Sequence, residues 1–327
     1  MAAEVARRDD GSMATTLPAT RRPLSIVDLA SLLFLGAVWG AAFLFLRIAA
    51  PEVGPAWAAE IRLAIGAAVL VVVAGPATLR VVRGRVTTFL IVGALFSAVP
   101  FTLIAVATVT LPAGFTALLN AATPLFTAAI AVGFMGQRIS WRVGAGLAVG
   151  VVAVVGLVGW SPLEPGPTTL LAVAAGLGAP ASYAVAGNFA RARLADVEPM
   201  ELATGMVTAG ALVALPVALL SGAPGTLALD GAISLLAVGV VSTAVAWPIF
   251  FRVLRRTTPT AASTVTFIVP AFALSWGSIV LGESVGVGLV IGFGLILVSL
   301  MLVLGIGPTV RMPWAGRRPV AAPRATG

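Results

Sequence analysis

The sequence predicts an all-α integral membrane protein of ten transmembrane helices, arranged as two inverted five-helix repeats. Three observations carry that prediction. Of the 327 residues, 59% are hydrophobic and only 10% charged, whereas soluble domains run at roughly 45–50% apolar and about 25% charged. Apolar runs of the length that crosses about 30 Å of hydrocarbon recur along almost the whole chain. Eighteen of the twenty basic residues, all of them Arg, fall in segments that lie on one face if the chain crosses ten times.

In order, residues 1–25 form a polar tail with four Arg. The apolar run that follows is longer than the roughly 7–15-residue core of a signal peptide, so it reads as an uncleaved first span. The spans are placed at 26–49, 56–76, 87–108, 112–134, 142–160, 168–190, 201–221, 231–252, 259–281 and 286–306, joined by the short connections that antiparallel neighbours need. Arg80, Arg83, Arg85, Arg138, Arg142, Arg191, Arg193, Arg252, Arg255 and Arg256 occupy alternate connections, together with the two tails. The opposite connections near Glu52, Thr110, Glu164, Gly225 and Glu283 hold no Arg. By the positive-inside rule both termini are cytoplasmic and the chain is a multi-pass protein of the cell membrane. Adding or removing one span would scatter the Arg over both faces, so the charge pattern tests the count. The +8 net charge therefore reads as topology rather than as a nucleic-acid surface.

A shift of 146 residues aligns Pro124 with Pro270, Gly136 with Gly282, Gln137 with Glu283 and Gly146 with Gly292. The repeats are then residues 26–160 and 168–306, with 161–167 as a Pro-rich linker and 307–327 as a disordered cytoplasmic tail. An odd number of helices per repeat forces the second copy upside down in the bilayer.

Several chemistries are absent by inventory. The chain has no Lys, His or Cys, which removes Walker-type phosphate loops, Ser-His and Ser-Lys hydrolysis and zinc hydrolysis. The Asp residues lie in tails, connections or span ends, so no intramembrane dyad is formed. No enzyme activity, cofactor or metal is expected; the partners are a small-molecule substrate and the lipid bilayer.

Pro124 falls about 18 Å along span four, near the bilayer midplane, and Pro270 is its counterpart in span nine. Each proline releases the carbonyl four residues back, those of Asn120 and Thr266. Thr116, Asn120, Thr123 and Thr127 share a face of span four, and Ser263 and Thr266 partly echo it. Matched helix breaks point to a substrate site, although Pro kinks satisfied by nearby hydroxyls are also common in membrane helices. Pro100 and Pro248 form a second rough pair in spans three and eight. Trp39 and Phe43 lie one turn apart in span one, with Tyr183 and Trp247 as counterparts able to frame a ligand. Trp57, Trp141 and Trp160 sit where interfacial aromatic belts form. Arg47 and Glu60 reach similar depth on either side of the turn near Val53, with Arg62 slightly deeper. An ion pair between Arg47 and Glu60 is the default expectation, and a coupling-proton role for Glu60 the sharper one. Gly146 and Gly150, with Gly288 and Gly292, allow close helix approach within the monomer or at a homodimer seam.

These residues resemble the drug/metabolite transporter superfamily, and within it the EamA-like ten-helix members. The resemblance rests on Trp39 to Phe43 (Trp-Gly-Ala-Ala-Phe), on Pro55 and Arg62-Leu63, and on a stretch that occurs twice. Its first copy runs from Pro112 through Pro124-Leu125 to Gly136-Gln137-Arg138, and its second from Pro259 through Ser263 and Pro270 to Gly282-Glu283. Gln137 stands where the family usually has Glu. The resemblance covers about residues 26–306 and implies a central cavity formed by both repeats, alternating access without ATP, and export of amino acids or related metabolites. A drug or quaternary-ammonium exporter is the alternative within transport; a lipid-modifying membrane enzyme is the alternative outside it.

Overall fold

A computed structural model of the chain describes residues 25–133, 140–160, 164, 166–257 and 262–305. The tails, most of the linker, the Gly136-Gln137-Arg138 stretch and Pro259 lie outside them. Among the described residues nine helices are long and apolar enough to cross a membrane, and a tenth is slightly shorter. They are α1 (Ile26–Val53), α2 (Pro55–Gly84), α3 (Val86–Thr110), α4 (Ala113–Gly133), α5 (Trp141–Gly159), α6 (Pro167–Arg193), α7 (Pro199–Leu220), α8 (Leu229–Arg256), α9 (Val265–Leu281) and α10 (Val287–Leu304). Large apolar side chains such as Val72, Leu212, Leu229, Ile279 and Val287 are exposed on the outside of the bundle, a surface suited to lipid and not to water.

Local chemistry sets the helix ends. Ser25 and Asp28 form a capping box at the start of α1, the Ser25 Oγ accepting from the Asp28 N–H at 3.1 Å. The turn into α2 is carried by Gly54 at φ +88° with Pro55 as the first helical residue. Helix α2 then runs beyond the 56–76 span expected from the sequence, bending at Gly75 (φ 73°, ψ 179°) and continuing to Gly84. The hydrophobic pattern ends at the bend, but Pro76 fits as the opening residue of the helical extension.

Helices α3 and α8 each contain a short π-helical segment, Ala94–Ala98 and Val240–Val245. The two begin 146 residues apart, the register that aligns the repeats. A π turn leaves carbonyls out of the regular ladder, and the prolines just beyond, Pro100 and Pro248, remove N–H donors as well. In each case a helix of the other repeat supplies a donor. Ser182 Oγ in α6 donates to the Leu95 carbonyl at 2.7 Å, and Trp39 Nε1 in α1 donates to the Ser242 carbonyl at 3.1 Å. The repeats therefore interlock, α1 against α8 and α6 against α3.

Close approach elsewhere depends on small residues. At Gly40 an added Cβ would come within 3.0 Å of Phe272 and of the α9 backbone, and at Gly93 within 3.0 Å of the α7 backbone. Without a hydrophobic force between helices in lipid, such packing and hydrogen bonds hold the bundle together. Gly146 and Gly150 face α10 of the same chain, where Ser299 Oγ donates to the Gly146 carbonyl at 2.6 Å, and Gly292 packs on Leu157. These glycine faces are thus used inside one copy.

Candidate functional site

The repeats enclose a cavity of about 630 Å³ lined by α1, α2, α3, α4, α6, α8, the starts of α7 and α9, and the connection between α6 and α7. Trp39, Phe43, Asn120, Thr123, Tyr183, Trp247, Ser263, Thr266 and Pro270 all border it. Thr116 does not: it is buried one turn earlier, its Oγ1 donating to the Pro112 carbonyl at 3.1 Å. Pro124 is also buried away from the lining.

The two proline sites differ in the way they break the helix. Helix α4 is interrupted at Ala121 and Ala122, immediately ahead of Thr123 and Pro124. The released Asn120 carbonyl is taken up by the Thr123 hydroxyl at 2.9 Å, and the Thr127 hydroxyl binds the Thr123 carbonyl at 2.9 Å. On the other side the turn falls at Ser263 and Thr264, well before Pro270, which lies within continuous helix. There the Thr266 backbone and hydroxyl both donate to the Ser263 carbonyl. Pro270 is therefore not where span nine breaks; a proline can remain inside a membrane helix when its neighbours satisfy the backbone.

Aromatic rings form one wall. Trp39 lies 5.1 Å from Trp247 and 5.3 Å from Phe250, centroid to centroid, and Phe96 lies 5.3 Å from Trp247 and 5.4 Å from Tyr183. The Trp39 N–H is used on the π segment of α8, whereas Trp247 Nε1 is buried with no hydrogen-bond partner. Asn120 Oδ1 is buried and unpartnered in the same way. Phe250, Phe251 and Leu254 were not singled out from the sequence, although with Trp247 they make a stripe at i, i+3, i+4 and i+7 on α8.

Arg62 is 4% exposed and borders the cavity. Its Nε donates to Thr243 Oγ1 at 2.9 Å, and its guanidinium carbon stands 3.6 Å from the centre of the Phe101 ring. The Thr243 hydroxyl spends its own proton on the Val238 carbonyl at 2.8 Å, which leaves a lone pair for Arg62. No Asp or Glu lines the cavity among the described residues.

The cavity reaches one end of the bundle. There its lining includes Arg191, Leu194, Val197, Leu254 and Arg255, at the end carrying the Arg-bearing connections. Ion pairs of Arg255 with Glu198 at 2.6 Å and of Arg85 with Asp196 at 2.5 Å decorate this end. Hydrogen bonding to Arg85 holds the Asp196 carboxyl below its ordinary range. Toward the other end the lining stops at Leu46, Ile104 and Ala117, all buried.

The closed end corrects the expected Arg47–Glu60 pair. Arg47 turns instead toward the end of α3, donating to the Thr108 and Val109 carbonyls at 2.8 and 2.6 Å, with its Nε 3.7 Å from Glu283. The Glu283 carboxylate also accepts from the Ala113 N–H at the start of α4, at 3.0 and 3.1 Å. Glu60 is buried with its Oε2 unpartnered and lies outside the cavity lining. Equal depth in a hairpin does not place two side chains on the same face, and Arg47 takes its partners on α3 and at Glu283 instead of Glu60. Glu52 Oε2 accepts from the Ala228 N–H at 3.0 Å, and Trp57 Nε1 donates to the Gly222 carbonyl at 2.8 Å. Glu52 and Glu283, which the sequence placed in plain connections, therefore tie one repeat to the other.

The family model described as the EamA-like transporter family matches the chain twice, over residues 29–159 and 170–305. A solved crystal structure of another protein has a TM-score of 0.59 at 16% identity, covering 84% of this chain and 96% of that one; at that identity the likeness concerns the fold alone. No curated protein matches the chain.

Proposed function

The chain belongs to the EamA-like transporter family, a family of membrane transporters of the drug/metabolite type, and from that premise we propose that it exports amino acids or related small metabolites by alternating access, without ATP. The observation that supports this reading is the asymmetry of the cavity. It extends to the end bearing the Arg-rich connections and is blocked at the other by the Arg47, Glu283 and Ala113 cluster. With the Arg-rich end cytoplasmic, this arrangement is the inward-open state.

In the proposed cycle a solute enters from the cytoplasm and settles among the aromatic wall, the α4 break and the α9 turn. The repeats then rock, the Arg47, Glu52 and Trp57 ties release, and the opposite end opens. The π segments of α3 and α8 lie where the repeats cross and serve as the flexing points. A quaternary-ammonium substrate fits less well, because the described lining offers Arg and no carboxylate.

Purified protein in liposomes, loaded with a mixture of amino acids and organic acids, tests the proposal. Release of a subset above protein-free liposomes, and its loss in Asn120→Leu, is the expected result. Equal release from both, with correctly inserted protein, would overturn it.

A further inference from the structure

We propose that Arg62 is the anion anchor of the cavity and that the transported solutes carry a single carboxylate on an apolar or aromatic body. The inference rests on the transport reading for the word transported, but the binding it describes stands separately. Arg62 is nearly fully buried, yet the ion pairs among the described residues belong to Arg47, Arg85 and Arg255. A buried cation without a counter-ion is costly to keep, and a protein that keeps one gains when a ligand supplies the anion. Glu60 does not compensate it: two residues apart on a helix, the side chains point to different faces, and Glu60 is outside the lining.

The guanidinium is also held ready. Its Nε is committed to Thr243, whose proton is committed to the Val238 carbonyl, and the guanidinium carbon stands over the Phe101 ring. No hydrogen bond of the described residues occupies its two Nη groups, which carry the parallel N–H pair that grips a carboxylate in two-pronged fashion. The π segment of α8 contributes directly, since it brings Thr243 to Arg62 and Ser242 to Trp39.

Two further groups on the same cavity lack partners, the Trp247 N–H and the Asn120 side-chain carbonyl. They offer a second donor to an anion and an acceptor to a ligand N–H. Most of the remaining wall is aromatic or aliphatic, which suits an apolar body. One fixed buried cation in a mainly apolar lining matches a singly charged carboxylate better than a doubly charged phosphate.

The test is equilibrium binding to purified protein in lipid nanodiscs, read by quenching of tryptophan fluorescence, since Trp39 and Trp247 both line the cavity. The probes are 3-phenylpropionate, its amide, phenethylammonium and phenyl phosphate. The wild type is expected to bind the carboxylate about tenfold or more tightly than the amide. Arg62→Gln is expected to lose that preference while still binding the amide, a change of selectivity that a purely structural role would not produce. Thr243→Val, which keeps the charge but frees the guanidinium, is expected to reduce the preference severalfold.

Equal binding of carboxylate and amide by the wild type overturns the proposal without any variant, and so does binding of none of the probes. Preference for the phosphate overturns the carboxylate class, and preference for the ammonium overturns the anchor altogether. Carboxylate-selective binding with no release from loaded liposomes would leave the anchor standing and defeat the transport reading. Transport unaffected by Arg62→Gln would do the reverse.

Discussion

Glu283→Gln is expected to open the closed end of the cavity. The side chain keeps an oxygen to accept the Ala113 N–H but loses the charge that faces both Arg47 and the start of α4. The Arg47 contact is 3.7 Å long and the two side chains are 30% and 17% exposed, so after solvent screening it contributes only about 0–1 kcal/mol. A negative charge at a helix N-terminus contributes roughly another 0.3–1 kcal/mol. Together the loss is about 0.3–2 kcal/mol, which raises the outward-open population roughly 2- to 30-fold. The chain has no native cysteine, so a single introduced thiol reports without background. Ala117→Cys, at the blocked end of the lining, is labelled with a membrane-impermeant maleimide added from outside the cell. The labelling rate is expected to rise by that factor when Glu283→Gln is added, while Ala195→Cys at the opposite mouth does not gain. An unchanged rate at Ala117→Cys would refute the view that Glu283 holds this end shut.

Asn120→Leu is expected to lower transport kcat/KM at least about fivefold while leaving insertion and the thermal midpoint unchanged or higher, because it removes a buried, unpartnered oxygen; a parallel loss of folded protein would point to a structural role. Gly75→Ala is expected to cost about 1–3 kcal/mol of stability, since φ 73° with ψ 179° is open only to glycine, and thermal unfolding in detergent measures it. The depressed Asp196 carboxyl implies a small acid-side dependence. Its pairing with Arg85 contributes fully above the ordinary value of 3.8 and is lost as pH falls through the lower folded value. Unfolding measured against pH is expected to show this loss for the wild type and not for Asp196→Asn.

Much of the fold was legible because lipid imposes simple rules. Span length rests on hydrocarbon thickness, and the π segments at Ala94 and Val240 fall in the 146-residue register that aligns the repeats. The cavity was legible where a rule concerns one helix, as with the stripe of Trp39 and Phe43 or the polar face around Asn120. It was not legible where the outcome depends on which helix stands opposite. Arg47 finds Glu283 across a sequence separation that no local pattern reports, and Arg62 finds Thr243 only because a π turn presents it. The break in span nine likewise falls not at Pro270 but at Ser263, just before α9, where a hydroxyl and a backbone N–H converge on one carbonyl.

The most direct test of alternating access uses Arg47→Cys paired with Glu283→Cys, joined by a short, reducible bifunctional thiol reagent in cells expressing the double variant. Extracellular metabolites are compared before cross-linking, after it, and after reduction. Carboxylate-bearing solutes are expected to accumulate outside the cells, to stop accumulating when the closed end is locked, and to resume on reduction. Accumulation that continues unchanged through the locked state would contradict the claim that solutes pass through this cavity and leave by this end.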